Sequence, residues 1–199
     1  MVDVLVGDSA RVKSWDDPRQ LRTFRTVLGE VDRRGLGELV ARQAITVVVV
    51  ECSGFNYANP LYPWTLPGSD GYPPTELAPS TKESCGITQI RPHIPVWWGP
   101  EGLSIRDQSL YFMSPENSIN LFLDRLIGAD PDDPWRMIQQ VQGSEYNGVT
   151  KPYAANYQAA WNTAGQLLTE LRAERPAALP IPPVPSCPWL DTLMYWSTP

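Results

Sequence analysis

Leu36-Gly-Glu-Leu-Val-Ala-Arg-Gln-Ala-Ile-Thr-Val-Val-Val-Val-Glu51 is the stretch on which the fold of this 199-residue chain turns. Leu36, Leu39, Val40, Ala44, Val47 and Val48 recur at helical spacing, whereas Thr46 to Val50 has the β-branched density of a buried strand. Periodicity alone leaves both readings open. In either form the stretch ends in Glu51. A carboxyl group at the end of a buried segment is partly desolvated, which raises its pKa and suits it to act as a general acid. The plainer alternative is a carboxylate that caps or solvates the end of a helix.

On the N-terminal side, Asp16-Asp17-Pro18 is an acidic helix start, and Leu21, Phe24, Val27, Leu28 and Val31 are spaced by three and four, which predicts a helix over residues 17–34. On the C-terminal side the composition changes. Nine of the 21 prolines fall between Pro60 and Pro100, among Tyr57, Tyr62, Trp64, Tyr72, Trp97 and Trp98. This reads as a long irregular surface whose aromatic rings either stack on sugars or pin the loop to the core. Ser114-Pro115-Glu116 opens a helix that Gly128 stops, with Ile119, Phe122, Leu123 and Leu126 as its buried stripe. Asp132-Asp133-Pro134 starts another, from Trp135 to about Gln142. A last long helix, Tyr153 to Arg175, carries Tyr157, Ala160, Trp161, Ala164, Leu167, Leu168 and Leu171 on one side. Residues 176–199 contain seven prolines and Trp189, Tyr195 and Trp196, an extended polyproline-type tail expected to lie on a surface or a partner. The expected organisation is therefore one domain over residues 1–175 and a proline-rich aromatic tail over 176–199.

Composition narrows the function. The 16 basic residues against 22 acidic ones leave a net charge of −6, and no basic run provides the clustered face that nucleic acid requires. The longest apolar run, Ile45 to Val50 with Thr46 inside it, is far short of the ~20 residues of a membrane span. Met1 to Asp8 carries acidic residues where an export signal would be basic, so none is expected. Three cysteines do not make a disulfide framework. His93 is the single histidine, which excludes by count a two-histidine zinc site. A histidine triad would have to use it, and His93 beside Cys85 in an amidase or peptidase is a remote alternative to ordinary packing between Pro92 and Pro95. No metal and no cofactor are expected.

Two motifs in order give Glu51 a context. Glu51-Cys-Ser-Gly-Phe55 resembles the Glu-Ser-x-Phe segment of the lysozyme-like transglycosylase superfamily, and Gly86-Ile-Thr-Gln-Ile-Arg-Pro92 resembles its Gly-Leu-Met-Gln-Ile-x-Pro motif. Trp98-Gly99, Met113-Ser-Pro115, Asn120 to Leu126 and Val141-Gln-Gly-Ser144 extend the likeness to the cell-wall lysins of actinobacteria and their phages, over residues 36–170. The resemblance implies a mainly α (α+β) lysozyme-like domain, with Leu36 to Glu51 helical and Glu51 catalytic at its buried C-terminal end. It implies a small β-hairpin beside the cleft that carries Gly86 and Gln89. Ser53, Tyr57, Gly86, Gln89, Trp98, Gln142 and Tyr153 are then expected substrate contacts, and Glu83 the second catalytic carboxylate, with Asp70 and Glu76 behind it. The chain departs from the pattern at Cys52, where Ser is usual, in its long loop from Tyr57 to Lys82, and at Val141-Gln142-Gly143, which replaces an Ala-Tyr-Asn segment. Cys52 and Cys85 each adjoin a cleft motif, so a bridge between them and a pair of separate thiols are both open.

The implied activity is cleavage of the N-acetylmuramic acid to N-acetylglucosamine β-1,4 bond in the peptidoglycan of an actinobacterial host. The implied setting is a phage virion, with the 176–199 tail on neighbouring tail subunits. A free lysin made in the host cytoplasm and delivered to the wall through a holin is the alternative location. The alternative function is a structural tail-tip protein that keeps the fold without catalysis.

Overall fold

The computed structural model describes residues 15–59, 61–68, 84–92, 102–126, 133–142 and 153–174. They are mainly helical, with six α-helices: α1 Pro18–Arg33, α2 Glu38–Cys52, α3 Ile105–Met113, α4 Pro115–Leu126, α5 Pro134–Val141 and α6 Tyr153–Glu174. A 3₁₀ segment, Pro63–Gly68, lies between α2 and α3. Among the described residues no helix is long and apolar enough to cross a membrane. The expected tail over 176–199 lies outside the described residues.

The ambiguous stretch before Glu51 is helical because α2 is the centre of the molecule. Helices α1, α4, α5 and α6 all pack against it. Ala41, Ala44, Ile45, Val47 and Val48 are fully buried, and Val49 and Val50 lie against the same core. A β-branched residue costs a helix only ~0.5 kcal/mol relative to Ala. Each fully buried Val or Ile side chain returns ~1.5–3 kcal/mol, so burial outweighs propensity. A lone strand here would also leave its backbone groups unpaired in the core, whereas a helix pairs them internally. Thr46 follows the same logic, its hydroxyl donating to Arg42 O one turn back at 2.7 Å.

The helix starts follow local chemistry. Asp17 Oδ1 accepts from Arg19 N at 2.8 Å with Pro18 in the first turn. Asp133 Oδ1 accepts from Arg136 N at 3.1 Å, again with Pro next. Helix α3 adds an element over residues 105–113, where the sequence analysis assigned none. Its signal is a Ser-x-x-Asp start: Ser104 Oγ accepts from Asp107 N at 3.1 Å and donates to Asp107 Oδ2 at 2.7 Å.

The described residues contain no β-strand. Where the sequence analysis expects a hairpin, they show two isolated antiparallel bridges, Cys85 with Ile90 and Tyr57 with Gly86. The bridge between Cys52 and Cys85 does not form, which corrects one of the two alternatives left open above. Cys52 Sγ turns back along its own helix to donate to Val48 O at 3.3 Å. Cys85 Sγ is directed instead to Ser109 O of α3 at 3.9 Å, so the two side chains serve different helices.

Candidate active site

Glu51 is the penultimate residue of α2 and is partly buried. Helices α2 and α6 run antiparallel, since Arg172 near the end of α6 reaches Glu38 at the start of α2 (2.9 Å) while Glu51 meets Tyr157 at their other ends. Arg42 sets the register between them. Its Nε donates to Trp161 O at 2.9 Å, its guanidinium lies 4.3 Å from the Trp161 ring centroid, and it fills the notch at Gly165, where a Cβ would approach it to 2.9 Å. This register places the fully buried Tyr157 so that its hydroxyl donates to Glu51 Oε1.

Burial pushes the Glu51 carboxyl up to about 7, and the Tyr157 hydroxyl, which favours the charged form, opposes that shift in part. The negative end of the α2 dipole also disfavours a carboxylate at this position. Among the described residues Glu51 has no cationic partner. Tyr157→Phe removes the hydroxyl that favours the charged form, so the Glu51 titration is expected to move to higher pH. Carboxyl-resolved NMR titration reads this directly; a titration unmoved or moved downward shows that the hydroxyl does not act on Glu51.

The second motif forms a closed turn. Cys85 N donates to Ile90 O at 2.9 Å and Ile90 N to Cys85 O at 3.1 Å. Gly86 N donates to Tyr57 O at 2.8 Å, which ties the turn to the segment leaving Glu51. Gly86 has φ +77°, and a Cβ there would lie 2.2 Å from Phe112 O, so the turn packs its backbone directly on the end of α3. Gln89 has φ 51°, a left-handed conformation, and folds its side chain so that Nε2 donates to Gly86 O at 2.8 Å. Its carboxamide oxygen accepts nothing from the described residues, which leaves an acceptor for an N–H or O–H of a ligand.

The structure thus joins Tyr57, Gly86, Gln89 and Gln142 by hydrogen bonds, the last through Gln142 Nε2 donating to Thr88 O at 3.1 Å. Ser53 caps α2 in a left-handed conformation, φ 52°, and its carbonyl accepts from Gln20 Nε2 at 2.6 Å, so its backbone shapes the turn after Glu51. The Tyr57 ring stacks on Phe55, with centroids 6.0 Å apart and planes at 21°. Tyr153 occupies the first position of α6. Glu83, Trp98, Asp70, Glu76 and His93 lie outside the described residues.

Tyr157 is the candidate-site residue that sequence reasoning missed, having placed it only on a buried stripe. The signal for it was its phenol: a tyrosine among Ala and Leu on a buried helix face needs a hydrogen-bond partner, and an apolar segment ending in a carboxylic acid supplies one. Among the described residues no group of three or more His, Cys, Asp or Glu side chains could hold a metal ion. The arrangement provides one carboxylic acid able to release and recover a proton near neutral pH, beside a rigid turn that carries an amide acceptor. No known family model matches the chain, and no curated protein matches it in sequence.

Proposed function

We propose that this protein cleaves the β-1,4 bond between N-acetylmuramic acid and N-acetylglucosamine in peptidoglycan, with Glu51 as the general acid and then the general base. The observation that carries the reading is the Glu51 carboxyl, raised to about 7 at the end of the central helix and held by Tyr157. Near neutral pH a substantial fraction of Glu51 is protonated and can donate to the departing sugar oxygen as the glycosidic bond breaks. The resulting carboxylate then takes a proton from the attacking group. The Gln89 oxygen suits the N–H of an acetamido group. The finer architecture belongs to the same proposal: a lysozyme-like domain with its small hairpin at Gly86 and Gln89 beside the cleft, acting from a phage virion on an actinobacterial wall.

With a single carboxyl serving as acid and base, attack by the muramyl 6-hydroxyl is favoured over attack by water. A zymogram on purified peptidoglycan is expected to show clearing, and mass spectrometry of the digest to show anhydromuramyl ends. Reducing ends alone, abolished by Glu83→Gln, identify a hydrolase with two carboxylates. No clearing is the result expected of a structural tail-tip protein and overturns the enzymatic reading.

A further inference from the structure

The side chain of Gln142 is expected above to contact substrate, but its amide nitrogen is engaged within the protein. Nε2 donates to Thr88 O at 3.1 Å, and Gln142 is itself the C-cap of α5, its backbone N bonded to Ile138 O at 2.9 Å. On the other side of the same turn residue, Thr88 Oγ1 and Ser118 Oγ of α4 pair at 2.6 Å, both buried. The turn that carries Gln89 is therefore gripped from three directions: by Tyr57 O at Gly86 N, by α4 at the Thr88 hydroxyl, and by α5 at the Thr88 carbonyl. Gln89 sits one residue beyond Thr88 in a left-handed conformation. That conformation is unfavourable for a non-glycine residue and persists only where its surroundings hold it.

We infer that Gln142 is a positioning residue: by donating to Thr88 O it locks the 84–92 turn so that Gln89 keeps one orientation toward a bound glycan. This rests on the glycosidase reading and replaces direct substrate contact by Gln142 with control of Gln89. The pairing requires a donor at position 142, since a carbonyl accepts only. Gln142→Glu has nearly the same shape and no donor, whereas Gln142→Lys restores one.

Two measurements on the full chain test it. Amide hydrogen exchange by NMR is expected to show Gln89 and Ile90 exchanging at least about tenfold faster in Gln142→Glu, and near the wild-type rate in Gln142→Lys. With a soluble peptidoglycan glycan, Gln142→Glu is expected to raise KM about tenfold while kcat changes less than about twofold, with rescue by Gln142→Lys. Unchanged exchange in Gln142→Glu overturns the inference whether or not the protein cleaves glycan. Faster exchange with unchanged KM also overturns it, because the turn would then be held without consequence for binding. A KM defect that lysine fails to rescue means that Gln142 touches the glycan directly. If the wild-type protein cleaves nothing, the glycosidase reading falls and takes the functional part of the inference with it, while the exchange arm still decides whether Gln142 holds the turn.

Discussion

Glu51→Gln is expected to reduce lysis of actinobacterial cell walls by more than about a hundredfold while the protein stays folded. Glutamine keeps the oxygen that accepts the Tyr157 hydroxyl and matches the shape of glutamic acid, but it has no acidic proton to give. The same substitution has an opposite effect on stability, and its sign follows from the direction of the shift. The Glu51 carboxyl is raised from 4.5 to about 7, so the folded protein holds this proton more tightly than the unfolded chain does. The associated stability is fully present below pH ~4.5, falls as pH rises, and is lost by pH ~7, a change of at most about 3 kcal/mol. A glutamine side chain does not titrate. Wild-type and variant should therefore melt alike near pH 4, and above pH 7 the variant should melt several degrees higher, since ~1 kcal/mol corresponds to ~2–4 °C at this size. Lysis that survives the substitution overturns the catalytic assignment. Equal melting temperatures at pH 4 and pH 8 would mean that the carboxylate is not desolvated.

Gly86→Ala is expected to be the most damaging single methyl addition in the described structure. Its φ of +77° strains an alanine, and the new Cβ would lie 2.2 Å from Phe112 O, a backbone atom that no rotamer change can move. The left-handed conformation costs ~1–2 kcal/mol, and forcing the turn away from α3 adds ~1–3 kcal/mol. A fall in melting temperature of about 10 °C follows from that sum. Gly35→Ala is the internal control: φ is +66° there, but nothing lies within 4 Å of the added atom, so only the conformational cost of ~1–2 kcal/mol applies. Equal losses at the two positions would show that Phe112 yields to the new Cβ and that the turn is not seated against α3.

Where side chain and backbone partner lie within a few residues, the sequence was legible. Asp17-Pro18, Ser114-Pro115 and Asp133-Pro134 announce α1, α4 and α5, because a cap and the proline after it act within one turn. Helix α3 carries the same kind of local signal, at Ser104 and Asp107, but it was not read from the sequence. The candidate acid was also visible, since an apolar run that stops at Glu51 marks a desolvated carboxyl whatever the backbone conformation.

The amino-acid sequence by itself thus determined the starts of α1, α4 and α5, the apolar stripes of α1 and α4, and the presence of an acid at the edge of the core. For Thr46 to Val50 the residue pattern alone left helix and strand open, and the tertiary structure bears out the helix that the resemblance implied, because four surrounding helices bury it and outweigh a small local preference for strand. Only the tertiary structure decided that Tyr157 meets Glu51, that Gln142 donates to Thr88 O, and that Cys52 and Cys85 face different helices. Each of these relations joins residues far apart in the chain or sets the direction of a side chain in the core. They depend on the antiparallel register of α2 and α6 and on how the 84–92 turn seats on α3, α4 and α5, which no local pattern of residues encodes.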